Sequence, residues 1–372
     1  MLNNQPLSEI CSEIKAGIGL ITLNRPRALN ALSLDMVRDL FTVLTAWRDN
    51  PEVEAVAIRG SNKEGPFGAF CAGGDIRFFH SAAVADDSAL DDFFTEEYRL
   101  NHLIFTYPKP YIAFMDGIVM GGGMGISQGA SLRIVTERSK LAMPETNIGL
   151  FPDVGGGYFL SRCPGAIGEY LALTGQMMLG ADAITLGLAD KLVDSAYIGT
   201  LWDDLAADSK TVAARLKVLE ERLEASTPVY HQPDWMDHGI DSCFAKATVT
   251  EIMEALAELN SDWANACIKT LRQRSPLMLH VVLEQIHRAR LMTLSNDLRM
   301  ERDLVRHCFH TKHLNRSGHS SETVEGIRAL AIDKDHSPQW NPQRIEDITE
   351  EMVAPFFISP WSDQEHPLAD LA

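Results

Sequence analysis

The spacing of apolar residues in the first two hundred positions alternates between the period of a strand and that of a helix. Apolar, β-branched runs at residues 17–24 and 53–60 predict two strands. Ser33 opens the segment between them and predicts a helix cap. That segment carries apolar side chains at helical spacing, namely Met36, Leu40, Leu44 and Trp47. A strand, a helix and a second strand are therefore expected in this order.

The alternation continues further along the chain. Residues 110–120 and 131–137 predict two more buried strands with a glycine-rich loop between them, and residues 168–175 and 180–193 predict short helices. Strands and helices joined by short connections are typical of an α/β core, so this is the fold class expected for residues 1–204.

The pattern changes from about residue 205 to long helices with few glycines. Helical periodicity is found at 209–226, 248–274 and 275–309. Residues 230–240 predict a connecting stretch, and the tail at 331–353 has proline-marked turns and one last short helix. A mainly helical region is therefore expected over residues 205–372.

The charge balance limits the classes of ligand. Lys and Arg number 33 against 51 Asp and Glu, a net charge of −18, and no basic run is present. This argues against a nucleic-acid or anionic-membrane surface. No apolar run reaches the roughly 18–20 residues of a membrane span. The N-terminus carries acids and no apolar secretory core, and the six cysteines are scattered, so free thiols and a cytoplasmic location are expected.

Three histidines and a cysteine lie within seven residues near the end of the last long helix. They are His307, Cys308, His310 and His313. Steps of three residues can place histidines on one helix face, so a metal site is one interpretation. A solvated helix end is the other, because no carboxylate or second thiol follows at a distance that would complete a site. No metal is expected.

Residues 67–79 form the first of two junctions at which a strand, a glycine turn and a helix follow each other. The apolar run ends at Ala72, Gly73 and Gly74 turn the chain, and Asp75 is expected to cap a helix. Backbone N–H groups at a helix start favour negative charge. The N–H of Gly74 is therefore a candidate donor to an anion.

The second junction, residues 120–130, has glycine at positions 121, 122, 123 and 125. Such a cluster needs a reason, which is a tight bend, the close packing of two elements, or N–H groups facing a ligand. A dinucleotide-binding loop would need glycine at Ile126. One N–H from each junction would instead make an oxyanion hole.

Residues 141–160 are apolar and glycine-rich, and Glu145 and Asp153 are their only acids. The apolar neighbours indicate partial burial, with a solvated rim as the alternative. Burial and mutual repulsion would raise the pKa of at least one carboxyl, which is what a general acid or base needs near neutral pH.

Four ordered motifs resemble the crotonase (enoyl-CoA hydratase/isomerase) superfamily: NRPRALNALS at 24–33, FCAGGDI at 70–76, MDGIVMGGG at 115–123 and MPETNIGLFPDVGGG at 143–157. Three segments are similar to one branch, the 3-hydroxyisobutyryl-CoA hydrolases, at 96–104, 142–160 and 325–340. The resemblance implies a crotonase-type spiral of ββα units with a helical C-terminal extension.

In that superfamily two backbone N–H groups hold the carbonyl oxygen of an acyl-CoA thioester. The resemblance gives this role to Gly74 and Gly122, and leaves a packing role for Gly121 and Gly123.

The resemblance also implies residues that bind the substrate. Ala72 and Gly73 are candidates beside the thioester, and Glu97 is the candidate that lines the acyl pocket. Arg27 is a candidate partner of the CoA phosphates, with an ordinary surface arginine as the alternative.

The reaction depends on one departure from the superfamily. Its hydratases carry a catalytic glutamate at the position of Gly125, whereas the hydrolase branch pairs the equivalents of Glu145 and Asp153. The resemblance therefore implies hydrolysis of a short 3-hydroxyacyl-CoA, above all 3-hydroxyisobutyryl-CoA, of the kind that occurs in valine degradation. Glu145 either activates water or attacks the thioester. An enoyl-CoA hydratase or isomerase and a non-catalytic interaction protein are the alternatives.

The expected partners follow from the same resemblance. CoA enters as part of the substrate, so no separate cofactor is expected. A homo-oligomer is a candidate assembly, because the C-terminal helices of the superfamily often mediate oligomers.

Overall fold

The computed structural model describes residues 8–226 and 234–372. They form two compact units. The first comprises the described parts of Met1–Gly74, Leu103–Leu141 and Met178–His231, and the second comprises Asp75–His102, Ala142–Met177 and the described part of Gln232–Ala372. Each unit thus combines early and late segments of the chain, because contacts rather than composition define it. The expected division at residue 204 rests on composition and stays a prediction.

Nine strands lie within the described residues. They are β1 (Ile10–Lys15), β2 (Ile18–Leu23), β3 (Ala55–Arg59), β4 (Tyr111–Met115), β5 (Ile118–Met120), β6 (Leu132–Thr136), β7 (Lys140–Ala142), β8 (Met178–Leu179) and β9 (Lys191–Val193). Six of them form a sheet in the order β1-β2-β3-β4-β6-β9, and the other three form a sheet in the order β5-β7-β8.

Sixteen α-helices lie within the same residues. They are α1 (Leu34–Asp49), α2 (Ile76–Ala85), α3 (Ala89–Phe105), α4 (Gly122–Gln128), α5 (Gly156–Leu160), α6 (Ile167–Thr174), α7 (Gly180–Thr185), α8 (Ile198–Ala206), α9 (Val212–Ser226), α10 (Ile240–Phe244), α11 (Val249–Leu259), α12 (Asp262–Leu271), α13 (Pro276–Ala289), α14 (Leu294–Phe309), α15 (Glu322–Ile327) and α16 (Glu350–Val353). None of these helices is both long enough and apolar enough to cross a membrane.

The large sheet belongs to the first unit and confirms the α/β prediction. β1 and β2 are antiparallel, and β2, β3, β4, β6 and β9 are parallel. Parallel neighbours need a crossover, and α1 supplies the one between β2 and β3. Its predicted cap is confirmed, since the Ser33 Oγ accepts the N–H of Met36 at 3.2 Å. β1 was not predicted, because only Ile10 of its six residues is buried and no alternating pattern marks it.

One face of the large sheet forms a core with α8 and α9. Ile18 and Leu20 on β2 are two positions apart, as are Ile112 and Phe114 on β4, so each pair lies on one face of its strand. All four are buried against the apolar side chains of the two helices, including Trp202. Burial of side chains of this size stabilises the unit by roughly 1.5–3 kcal/mol each.

The predicted single strand at 110–120 is wrong, because the chain turns at Asp116 and Gly117 into two strands of different sheets. The Asp116 carboxylate accepts the N–H of Gly68 at 2.7 Å and the hydroxyl of Thr136 at 2.6 Å. Gly117 has φ +80, and a Cβ there would overlap the Gly68 carbonyl oxygen. A buried carboxylate and a glycine thus fix a bend that apolar periodicity does not register.

The single helix predicted over residues 180–193 is also wrong, because α7 ends at Thr185 and the strand β9 follows it.

The long helical patterns predicted for the second unit are each divided into two helices. Asn260 adopts φ +46 and the Ser261 hydroxyl accepts the N–H of Ala264 at 3.1 Å, so α11 ends and α12 begins. Thr293 caps α14 in the same way. The last short helix is confirmed as α16. Of the connecting stretch predicted at 230–240, residues 230–233 lie outside the described residues.

Candidate active site

Main-chain hydrogen bonds hold the first glycine junction between two other segments of the first unit. The N–H of Leu32, from the 24–33 motif, donates to the Gly73 carbonyl at 2.8 Å. The N–H of Met120, at the end of β5, donates to the Cys71 carbonyl at 3.0 Å. The two junctions recognised in the sequence are therefore neighbours in the structure.

Glycine is required at these junctions for a different physical reason at each position. Gly73 has φ +102, and a Cβ there would lie 3.4 Å from the Met120 oxygen and 3.8 Å from the Gly122 nitrogen. A Cβ on Gly123 would overlap the Cys71 carbonyl oxygen, which confirms its packing role. Gly121 adopts φ +47 where the backbone turns into α4, which is a further reason for glycine there, and the packing role expected for it stays a prediction.

The N–H groups of Gly74 and Gly122 have the property that the oxyanion-hole hypothesis requires. Neither donates a hydrogen bond to any protein atom in the described part of the chain. Such a group gains free energy when it finds an acceptor. Two donors free to bind one oxygen are what an oxyanion hole needs. Their role in binding a thioester stays a prediction.

Asn30 is a positioning residue of this region that the sequence analysis did not identify. Its side chain is fully buried, and its Nδ2 donates to the carbonyls of Ser61 at 2.8 Å and of Ala69 and Phe70 at 3.0 Å. Its Oδ1 accepts the N–H of Arg25 at 2.9 Å. One side-chain amide thus joins the 24–33 motif to the chain at Ser61 and to the start of the first glycine junction. Its position within the 24–33 motif was the available signal.

The other predicted substrate-binding residues of the first unit occupy different environments. Arg27 lies exposed in a 3-10 turn, Pro26–Ala28, and forms no ion pair with the described residues. Ala72 is half-buried, and its N–H is already bonded to the Leu29 carbonyl at 3.0 Å. Arg27 therefore remains available to an anion, whereas Ala72 can contact a ligand only through its methyl group or carbonyl.

The second unit brings the predicted carboxyls together. Glu145 begins a 3-10 turn, Glu145–Ile148, Asp153 lies just before α5, and Glu97 lies on α3. All three are buried, with exposures of 7%, 6% and 2%. The fully buried Tyr98 donates its hydroxyl to the Asp153 Oδ2 at 2.9 Å. The apolar neighbours in the sequence correctly indicated burial, and the solvated rim is excluded.

Burial is the main cause of altered acidity in this cluster. It raises the pKa of Glu145 well above its usual range, and the charge of Asp153 raises it further. Burial also raises the pKa of Glu97, helped by Asp153 and Glu145. The pKa of Asp153 rises to about 7, since the Tyr98 hydrogen bond partly offsets burial. The cluster thus holds protons at neutral pH and can exchange them.

Two oxygen atoms of this cluster are left for a ligand or a water molecule. Glu97 Oε1 and Glu145 Oε2 are buried and have no hydrogen-bond partner in residues 8–226 and 234–372. Buried oxygens without a partner cost free energy, so a donor that enters the cluster would stabilise both atoms.

A second layer of acids lies behind Asp153 and was missed from the sequence. Glu301 and Asp297 on α14 accept N–H groups of the segment that follows Asp153, and Gln285 on α13 donates to the Pro152 carbonyl at 2.7 Å. A signal was available, because both acids occupy positions on the apolar stripe of α14. Acids on such a stripe are buried, and buried acids need partners.

The histidines near the end of α14 have partners of other kinds. His307 Nε2 lies 2.8 Å from the Ile358 carbonyl oxygen, His310 lies beside Asp91, and Cys308 is buried. His313 packs edge-on against Phe356, with ring centroids 4.6 Å apart. Among the described residues, no three His, Cys, Asp or Glu side chains are placed to hold a metal ion. All six cysteines are free thiols, as expected.

Comparison with known proteins gives matches over most of the chain. The family model described as enoyl-CoA hydratase/isomerase matches residues 18–357. A rat protein named 3-hydroxyisobutyryl-CoA hydrolase, mitochondrial, is 39% identical over 364 residues, covering 96% of this chain and 91% of its own. The human protein of that name is 40% identical over 355 residues, covering 94% of this chain and 89% of its own.

Two solved structures share the fold over almost the whole chain. A carnitinyl-CoA dehydratase from Mycobacterium thermoresistibile has a TM-score of 0.83 at 37% identity, covering 95% of this chain and 97% of its own. An enoyl-CoA hydratase from Rhodobacter sphaeroides has a TM-score of 0.81 at 37% identity, covering 95% of this chain and 98% of its own.

The expected cytoplasmic location is contradicted by these comparisons. The curated relatives are named as mitochondrial proteins. The expectation failed because it tested only for the apolar core of a secretory signal, which mitochondrial proteins lack as well.

The family model covers most of the chain, both curated relatives exceed 30% identity, and the fold agrees. This chain belongs to the enoyl-CoA hydratase/isomerase family.

Proposed function

We propose that this protein hydrolyses 3-hydroxyisobutyryl-CoA to the free hydroxy acid and CoA. The observation that carries the proposal is the buried carboxyl pair, Glu145 and Asp153, together with Gly125 at the position where a hydratase has its other glutamate. Curated relatives that match nearly the whole chain have the same activity in their names.

The reaction needs one negative oxygen to be stabilised and one proton to be moved. The water oxygen bonds to the acyl carbon, the C–S bond breaks, and a water proton ends on the leaving thiolate. The N–H groups of Gly74 and Gly122 are proposed to stabilise the oxyanion, an effect worth roughly 3–4 kcal/mol per donor.

Glu145 and Asp153 are proposed to handle the proton as a pair. The ionised member accepts a proton from water, or attacks the thioester directly, and the protonated member donates to the thiolate. A pKa of about 7 at Asp153 suits this exchange, because both protonation states are populated at neutral pH. Glu97, with its unpaired oxygen, is proposed to bind the substrate hydroxyl.

The binding partners follow from the proposed substrate. Arg27 is proposed to contact the CoA phosphates, because it is exposed and forms no ion pair with the described residues. Gly73 is proposed to let the backbone approach the thioester, and Ala72 to contact it through its methyl group. No cofactor besides the CoA of the substrate is proposed.

Hydration of an enoyl-CoA is the second candidate, because the two solved relatives are named a carnitinyl-CoA dehydratase and an enoyl-CoA hydratase. The two reactions leave different products. Hydrolysis releases a free thiol, whereas hydration removes the enoyl absorbance and leaves the thioester intact.

The test is a pair of assays on the purified full chain. We expect thiol release from 3-hydroxyisobutyryl-CoA, exceeding that from other short 3-hydroxyacyl-CoAs, and no loss of enoyl absorbance with crotonyl-CoA. Turnover of crotonyl-CoA without thiol release would establish the hydratase instead. Absence of both activities would favour a non-catalytic interaction protein.

A further inference from the structure

Two helices of the second unit hold the chain on both sides of Asp153. On the earlier side, the Gln285 Nε2 donates to the Pro152 carbonyl at 2.7 Å. On the later side, the Glu301 carboxylate accepts the N–H of Gly155 at 2.7 Å and that of Gly157 at 3.0 Å. The backbone at Asp153 is thus bonded to side chains from α13 and α14.

The segment adopts a conformation that needs such support. Val154 has φ +57, a region that a β-branched residue rarely occupies, and Gly155 follows with φ +85. Strained backbone of this kind persists only when the surrounding structure fixes it, and it is concentrated at functional sites. The bonds to Glu301 begin at the residue directly after Val154.

The glycines of this segment allow the acids of α14 to approach it. A Cβ on Gly157 would lie 2.5 Å from an Asp297 carboxylate oxygen, and a Cβ on Gly155 would lie 2.9 Å from Leu294. The Asp297 Oδ2 also accepts the N–H of Tyr158 at 2.8 Å. The lack of side chains on Gly155 and Gly157 therefore leaves room for α14 to approach, so that its acids can accept hydrogen bonds from the backbone of this segment.

We propose that Glu301 is a positioning residue for the reaction, because it holds the backbone that orients the Asp153 carboxyl. This inference rests on the proposed function, in which Asp153 moves the proton. Both Glu301 oxygens are used by backbone donors, and its side chain is fully buried. It acts through Asp153 and does not touch the substrate.

The decisive change is Glu301→Gln, which keeps the size of the side chain but has one acceptor oxygen in place of two. One of the two N–H groups must then face an NH₂ group, so the segment shifts. A displacement of about 1 Å at a catalytic group lowers the rate by up to ~10²-fold. We expect kcat to fall about 10–100-fold with little change in KM.

A double-mutant cycle separates positioning from a general loss of structure. If Glu301 acts through Asp153, Glu301→Gln should change kcat less than threefold in a protein that already carries Asp153→Asn. Equal fold-losses in both backgrounds would overturn the proposal. Asp241→Asn is the matched control, because Asp241 accepts the N–H of Ala166 beside Gly165 at 2.7 Å, in the turn before α6. It should leave kcat unchanged.

Gln285→Met provides a second test if Glu301→Gln does not fold. It removes the bond to the Pro152 carbonyl and a longer one, 3.3 Å, to Glu301 Oε1. Because both bonds support the segment around Asp153, the variant should give the same non-additive loss of kcat with Asp153→Asn. An additive loss would overturn the proposal. Thiol release by the wild-type chain distinguishes the two proposals. Its absence would refute the proposed function. Wild-type activity with additive losses in the variants would refute only the positioning role of Glu301.

Discussion

At the scale of single residues, the second unit keeps several carboxyls away from water, and no Lys, Arg or His of residues 8–226 and 234–372 forms an ion pair with them. Glu97, Glu145 and Asp153 are all buried, and the charge of Asp153 raises the pKa of both glutamates beyond the effect of burial. Such groups hold protons that an exposed carboxyl would lose at pH 7. The cluster is therefore suited to move protons near neutral pH.

Glu145→Gln should remove nearly all thiol release from 3-hydroxyisobutyryl-CoA. The amide can neither accept a proton from water nor form a covalent intermediate, and groups in this role contribute ~10²–10⁴-fold. We expect kcat to fall at least 10²-fold with KM nearly unchanged, measured by steady-state kinetics beside the Asp241→Asn control. A kcat above a tenth of the wild-type value would remove Glu145 from the mechanism.

Asp153→Asn should lower kcat by about 10²-fold and also move the pH profile. The negative Asp153 raises the pKa of Glu145 on top of burial, so a neutral asparagine lowers that pKa. The acidic limb of kcat/KM should then shift to lower pH. The measurement is kcat/KM between pH 5 and 9, within roughly two units of neutrality. A near-normal rate with an unshifted limb would contradict a role for Asp153.

At the scale of elements, apolar periodicity and helix caps correctly predicted those features that depend on residues close together in the sequence. The cap at Ser33 and the buried stripe of α1 follow from local chemistry, and both are confirmed. The bend between β4 and β5 did not follow, because it depends on Asp116 meeting Gly68 and Thr136 from distant parts of the chain.

The candidate site shows the same contrast between features that local sequence determines and features that depend on distant parts of the chain. The two glycine junctions and the carboxyls Glu145 and Asp153 could be identified by their order along the chain. Asn30 and Glu301 were missed although each had a weak signal in the sequence, because their partners are backbone groups that only the folded chain brings to them.

Two helical glycines should respond in opposite ways to alanine. Around Gly199, on α8, a Cβ would meet no atom within 4 Å, so Gly199→Ala should stabilise the protein by about 0.5–1 kcal/mol. On α6, a Cβ at Gly168 would overlap the Leu160 carbonyl oxygen, so Gly168→Ala should destabilise it by roughly 1–3 kcal/mol. Denaturant unfolding measures both. The same sign for both variants would contradict the packing described for α6.

At the scale of the whole molecule, the buried acids set the direction in which stability depends on pH. The pKa of Asp297 rises from 3.8 to about 7 on burial, so the folded chain keeps a proton that the unfolded chain loses above pH 3.8. Stability from this group is complete below that value and is lost as the pH rises toward 7. Inside this window each such carboxyl changes the free energy of unfolding by about 1.4 kcal/mol per pH unit.

Asp297→Asn should therefore flatten the fall of Tm between pH 4 and 7, the window of the Asp297 pKa shift. The asparagine oxygen can still accept the Tyr158 N–H, so the bond survives while the titration disappears. Thermal unfolding of the variant and the wild type across this range measures the two slopes. An unchanged slope for Asp297→Asn would show that burial of Asp297 does not control the pH dependence.

The three-way hydrogen bonding of Asn30 has a consequence for how the protein ages. Asparagine converts spontaneously to aspartate when the following backbone nitrogen attacks its side-chain carbonyl carbon, and here that nitrogen, of Ala31, is bonded to the Ala28 carbonyl at 3.0 Å. The folded chain thus protects the very residue whose conversion would set a carboxylate against three carbonyl oxygens. Time spent unfolded, rather than time in storage, should determine how much of a sample can no longer refold.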